Sequence, residues 1–277
     1  SFINQNLSKI DKENLDKKFK FFLDDANPKL ENSFAFSPPM SRNNFPMIDP
    51  IMIRTNFYNK KIQSIKNIKK EFNQKSYICY WRGALTGIVS EKLNLINDKN
   101  EYFNKILDPD IFIRIKLCFM GSQELDKCDF KLTRAGQWKW TASILEKFKE
   151  NNIYSEEEPF ENNIDYKYLI DIDGNSNSWP GLFMKLASGS CILKVDSKNK
   201  FYQWFYKFMK PWEHFVPINA DLSDLNEKLI YLRNNIDISE KIAKNSKEFF
   251  GSKNPEKWKN LYFKDLNINL ENYKINN

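Results

Sequence analysis

The clearest pattern of apolar and polar positions runs from 166 to 196. Apolar residues mixed with aspartates, YLIDID at 168–173, stop at Gly174, and a polar bend follows at 175–178. An apolar run at 182–187 is then closed by Gly189, and CILKV at 191–195 reads as a second strand. Strand, glycine-containing turn, short helix and strand make a βαβ unit. The loop after the first strand of such a unit feeds a helix N-terminus, where free backbone N–H groups and the helix dipole favour an anion. Plain connector chemistry needs the same residues, with Ser178 as N-cap and Pro180 in the first turn. The pattern alone leaves both readings open.

Around this unit the chain alternates. Residues 1–20 are polar and lysine-rich and read as a helix with no signal-peptide pattern. Short strands are predicted at 19–23, 34–36 and 50–54, with loop at 37–50. Apolar positions at 62, 65, 68 and 72 give helical spacing over 59–73. Then come a strand at 76–81, a helix at 84–95, a strand at 111–119, a patternless stretch at 121–137 read as loop, and a helix at 138–149. After the βαβ unit follow an aromatic helix at 201–209, a strand at 216–218, a helix through Arg233 and another at 239–250. The last stretch has weak pattern and reads as a tail returning over the first section. This alternation predicts an α/β fold with mainly parallel sheets. The expected divisions are 1–73, 74–251 and 252–277.

Composition changes this picture little. Hydrophobic residues at 41% and charged residues at 29% suffice for a core. No run of apolar residues is long enough to span a membrane. A net charge of +7 suits an anionic partner or a membrane surface, and equally a lysine-rich surface of no function. The densest basic stretch, 60–70, lacks the regular aromatic interleaving of a single-strand nucleic-acid platform, so no nucleic-acid partner is expected. Cys79, Cys118, Cys128 and Cys191 form no C-x-x-C pair, and there is one histidine, a poor basis for zinc. Cys79, Cys118 and Cys191 fall in predicted strands and read as core thiols.

Four features bear on chemistry. Arg82 ends a predicted strand, where α/β sheets bind ligands and where arginine pairs well with phosphate. The bend from Gly174 to Pro180 precedes a helix. Asp24 and Asp25 end a strand, as either a base or a solvated turn. His214 is flanked by Trp212 and Phe215 and reads as a base or, at least as readily, a hydrogen-bonded structural residue.

Taken together, YICYWRG at 77–83, YKYLIDIDG at 166–174, KPWEHFVP at 210–217 and DLSDL at 221–225 resemble glycosyltransferase family 90. That family holds protein O-glucosyltransferases, capsule-associated xylosyltransferases and bacterial lipopolysaccharide glycosyltransferases. The asparagine-rich form of 173–179 is most similar to the bacterial members. The resemblance implies a GT-B fold of two facing Rossmann-like domains with the active site between them. It implies inverting transfer of a sugar such as glucose, xylose or galactose from a UDP-sugar donor, with no cofactor and no obligatory metal. The implied acceptor is a glycan, namely lipopolysaccharide or another cell-surface polysaccharide; a protein hydroxyl is the alternative, as is a non-catalytic relative that binds anionic glycans. A cytoplasmic location with peripheral contact at the inner membrane face is expected. By motif match, Ser76 and Arg82 would bind the donor together with Gly174, Asn175, Ser176, Asn177, Ser178 and Trp179. Asp25 matches the proposed base and Asp24 is the second choice. Trp81 or Trp179 would stack on the base or sugar if not used in the core. Animal members carry an arginine where this chain has Pro180, so a donor-phosphate contact is either missing here or supplied elsewhere, with Lys185 as the candidate.

Overall fold

The computed structural model describes residues 20–23, 27, 29–31, 33–40, 44–87, 105, 107–110, 112–135 and 142–275. Asp24 and Asp25, the predicted helix at 1–20 and most of that at 84–95 lie outside the described residues.

Two sheets organise the described chain, and both are wholly parallel. The α/β class with parallel sheets therefore holds. The smaller sheet has the order β1 (Lys20–Phe22), β2 (Ser33–Ala35), β3 (Phe45–Pro46). The larger contains β4 (Ser76–Ala84), β5 (Cys128–Arg134), β6 (Tyr166–Asp171), β7 (Cys191–Val195) and β8 (Val216–Ile218), in the order β5-β4-β6-β7-β8. Counted within this sheet alone, the order is 2-1-3-4-5, a doubly wound order whose direction reverses between β4 and β6.

Side-chain alternation along the central strands explains why both faces are covered. Tyr168 and Ile170 of β6, with Leu193 and Val195 of β7, enter one apolar cluster. Leu169 and Ile192 enter the other. On the first face pack α3 (Ile113–Phe119), α4 (Ala142–Glu150), α6 (Leu225–Asn234) and α7 (Ile236–Ser246). On the second pack α1 (Pro50–Arg54), α2 (Asn59–Asn67), α5 (Trp179–Leu186) and α8 (Pro255–Ile275), together with Phe34 and Phe45 of the smaller sheet. Trp204 sits at the centre of this face, edge-on to Phe57, Trp258 and Tyr262. Among the described residues no helix is long and apolar enough to cross a membrane.

Several predicted elements differ. Residues 50–54 form a helix because Asp49 caps it, accepting the Met52 N–H at 2.8 Å, and Pro50 suits its first turn. A short strand, β3, occupies part of the predicted loop. The run at 111–119 alternates like a strand yet forms α3, because Arg114, Ile115, Leu117 and Cys118 are all buried and a short buried run lacks a readable period. Its Cys118 is thus a core thiol in a helix. Strand β5 was hidden in the patternless stretch, since as an edge strand it buries only Phe130 and Leu132. Residues 201–209 make turns with a single 3₁₀ turn at Tyr206–Phe208, because consecutive Trp204 and Phe205 are both buried and leave no helical stripe.

Candidate active site

In a doubly wound sheet the crevice for a ligand lies beyond the carboxyl ends of the strands where the order reverses. Here that point is the end of β4 and the end of β6. A cleft of about 430 Å³ opens there, lined among others by Arg82, Thr86, Arg114, Arg134, Ser178, Gly181 and Lys185.

The two strand ends are held together by a residue the sequence reading missed. Arg114, 7% exposed on α3, donates to the carbonyls of Ala84 (2.8 Å), Ile172 (2.9 Å) and Asp173 (3.1 Å) and to Thr86 Oγ1 (2.8 Å). Burial pulls its pKa down to about 10, and the charges of Asp173 and Asp171 oppose that fall. The signal was an arginine inside an apolar run. The loops it joins touch directly: Gly87 N–H donates to Asn175 Oδ1 at 3.1 Å. Gly174 permits the contact, since a Cβ there would lie 2.5 Å from Thr86 Oγ1. Gly87 has a φ of +81°, a conformation that favours glycine.

The expected donor loop forms a self-bonded bend at the start of α5. Gly174 N–H donates to the Ser176 carbonyl at 2.9 Å. Asn177 is buried and donates to the Asp173 carboxylate and the Phe201 carbonyl, while its Oδ1 finds no partner among the described residues. Trp179 Nε1 donates to Ser176 Oγ at 3.2 Å and to Ser37 Oγ at 3.1 Å. Its ring also meets Phe36 edge-on, so it joins the loop to the chain just after β2 and takes a packing role. Ser178 stands at the N-cap position, but its hydroxyl donates to Asp171 Oδ1 at 2.7 Å instead of capping.

Asp171 is fully buried beneath this helix start. Lys185 Nζ lies 3.1 Å from its Oδ1 and 2.8 Å from the Ile170 carbonyl. Lys185 therefore lines the cleft with its ammonium already engaged. Burial pushes Asp173 up, against the pull of Lys194, Ser197 and Asn177.

Arg82 also reaches the cleft. Its guanidinium stacks over the Tyr80 ring at 4.3 Å and pairs with Asp129 Oδ2 at 2.6 Å and Glu158 Oε1 at 3.2 Å. Nη1 donates to the carbonyls of Trp81 and Asp129. Burial opposes ionisation of Glu158, but bonds from Asn162, Tyr80 and Arg82 outweigh it and hold its carboxyl below the ordinary range.

Of the predicted donor residues, Arg82 and Ser178 line this cleft; Gly174 and Asn175 border a separate small cavity with Asp196, Ser197 and Phe201, Ser176 and Asn177 are buried, and Trp179 packs on Phe36. The structure does not bring Ser76 to the cleft. Ser76 opens β4, at the far end of the strand from Arg82, and its Oγ accepts the Ile78 N–H at 3.2 Å. Trp81 is core, with the Arg114 guanidinium 5.4 Å above its ring. His214 is structural: it is buried against Phe249 and Phe250, its Nδ1 accepts the Lys210 N–H at 3.1 Å, and burial lowers its pKa. Asp24 and Asp25 remain outside the described residues.

A family model described as Glycosyl transferase family 90 matches residues 48–257. Uncharacterized protein 179R of Invertebrate iridescent virus 6 is 30% identical over 206 residues, 69% of this chain and 16% of the viral protein. Protein O-glucosyltransferase 1 of Rattus norvegicus is 25% identical over 178 residues, 64% of this chain and 37% of the rat protein. Protein O-glucosyltransferase 3 of Homo sapiens is 39% identical over 79 residues, 28% of this chain and 15% of the human protein. The chain matches well under half the length of each of these relatives.

Proposed function

The chain belongs to glycosyl transferase family 90, and on that premise we propose that it moves a sugar from a UDP-linked donor to an acceptor hydroxyl with inversion at the anomeric carbon. The observation that carries the reading is the convergence at the end of β4 and β6. Ser178, Pro180 and Gly181 at the N-terminus of α5 and three arginines border one cleft at the sheet's switch point. First-turn amides of a helix lack intrahelical partners and face an anion favourably. A volume near 430 Å³ lies within the ordinary range for small-ligand sites.

In this reading the acceptor oxygen attacks the anomeric carbon as the bond to the donor diphosphate breaks. UDP departs with the bonding electron pair, and the acceptor proton passes to a base. The cationic cleft and the helix start stabilise charge developing on the leaving diphosphate. Asp25, or Asp24 as second choice, is the base. Support comes from the strand that precedes them. Phe22 of β1 pairs in register with Ala35 of β2, and Ser37, two residues on, bonds Trp179 at the donor loop. The C-terminal end of β1 is therefore level with the end of β2 from which the chain runs on to Ser37 and its bond with Trp179.

Lipopolysaccharide or another cell-surface polysaccharide is the acceptor carried by the likeness of the asparagine-rich loop to bacterial members. A protein hydroxyl is favoured by a separate observation, the naming of rat and human relatives as protein O-glucosyltransferases. The test is release of UDP from UDP-glucose, UDP-xylose and UDP-galactose, first alone and then with each acceptor class. Binding of UDP without release from any of them points to a non-catalytic glycan-binding relative. Absence of UDP binding altogether overturns the reading.

A further inference from the structure

We infer that Arg134 is the cation of this cleft that takes the donor's diphosphate. The inference rests on the reading of the cleft as a UDP-sugar site. Three guanidiniums line that cleft, and two are already committed. A guanidinium has five N–H donors. Arg82 uses four of them, on Glu158, the Asp129 carboxylate and two carbonyls. Arg114 likewise makes four bonds, which tie β4 to β6. The ammonium of Lys185 is held between Asp171 and the Ile170 carbonyl. Pro180, in the first turn of α5, brings neither an N–H nor a charge.

Arg134 differs. It is the last residue of β5 and pairs in register with Ala84, so the sheet carries it to the same mouth. Its side chain is 67% exposed, and among the described residues its one ion-pair partner is Glu157, at 3.6 Å and itself 61% exposed. An ion pair so open to water holds weakly. A diphosphate offers more charge and a geometry that a guanidinium grips through two parallel bonds. Arg134 can therefore exchange Glu157 for the donor without leaving any buried group unpaired. Arg82 is held more firmly, because moving it breaks four hydrogen bonds, two of them ion-paired, to Asp129 and to Glu158.

Calorimetric titration with UDP and with uridine tests the assignment, using the wild-type protein, Arg134→Ala, Arg134→Lys and Glu157→Gln. Charge-assisted hydrogen bonds of this type predict that Arg134→Ala weakens UDP binding on the order of tenfold to a hundredfold. Uridine affinity stays unchanged, since uridine carries no phosphate. Arg134→Lys recovers part of the loss, and Glu157→Gln tightens UDP binding by releasing the arginine. If the wild-type protein binds UDP and Arg134→Ala binds it equally well, the inference falls alone. If the wild-type protein binds no UDP, the reading of the cleft falls and the inference with it.

Discussion

Replacing Arg114 by methionine probes the join on which the cleft depends. The substitution keeps roughly the volume of the side chain while removing four hydrogen bonds, three of them to carbonyls at the ends of β4 and β6. Each buried acceptor left without a partner costs about 1–3 kcal/mol. Two effects reduce the sum. Water from the adjoining cleft can reach some of the freed carbonyls, and removing a buried cation relieves the desolvation that drags its pKa down to about 10. The net loss expected in urea unfolding is about 2–4 kcal/mol, seen as a lower midpoint with an unchanged slope. The same variant should bind UDP more weakly, because the Thr86–Gly87 and Asp173–Asn175 segments lose their common anchor. Arg114→Lys keeps a donor and a charge and should fall between. A loss below about 1 kcal/mol with UDP affinity intact would show that the loops hold their positions without this arginine.

Two further outcomes test the packing. Gly174→Ala places a Cβ 2.5 Å from Thr86 Oγ1, so it should destabilise by about 1–3 kcal/mol, and Thr86→Ala in the same chain should recover part of that loss; strictly additive effects in chemical denaturation count against the contact. Lys75 is buried, with its ammonium on Ser188 O and Ser190 Oγ, and burial first, then the charges of Lys247, Lys70 and Lys167, lower its pKa to about 7 despite Asp165. The unfolded chain keeps that proton to about pH 10, so in this window it binds more protons than the folded chain and stability rises with pH from about 7 to about 10. Lys75→Met should abolish this rise; an equal rise in the variant assigns it to other groups.

The central βαβ unit was legible because its rhythm is carried by residues with one role each. β6 and β7 alternate between two cores, and Gly189 closes the helix between them at a φ of +73°. Elsewhere one residue serves two purposes, and pattern misleads. α3 spends its polar position on a buried arginine, so its stripe is broken and its isoleucines imitate a strand. β5 carries polar residues along its length and at its terminus, where Asp129 holds Arg82 and Arg134 borders the cleft. Those residues dilute the apolar signal that would have marked it as a strand. Asp49 and Pro50 show the reverse case, in which a two-residue capping signal outweighs a β-prone composition.

The site itself divides along the same line. Motif likeness singled out the bend at 174–179, and the cleft does open beside it. Yet most polar groups of that bend bond to one another or to Asp171, Asp173 and Phe201. Their primary effect is to fix the direction in which α5 starts, and with it the direction of its first-turn amides. A rigid helix start presents partial charge at no reorganisation cost when an anion arrives. A full charge on a side chain with no committed partner can add to that field, and motif likeness does not report whether a side chain is committed. Whether a guanidinium is free depends on which carboxylates fold against it. Asp129 and Glu158 close on Arg82 from β5 and from the loop before β6, elements 47 and 76 positions away. Glu157, one residue earlier, reaches Arg134 only at 3.6 Å. One step along the chain separates the held arginine from the available one, a distinction that tertiary contact creates and no local pattern records.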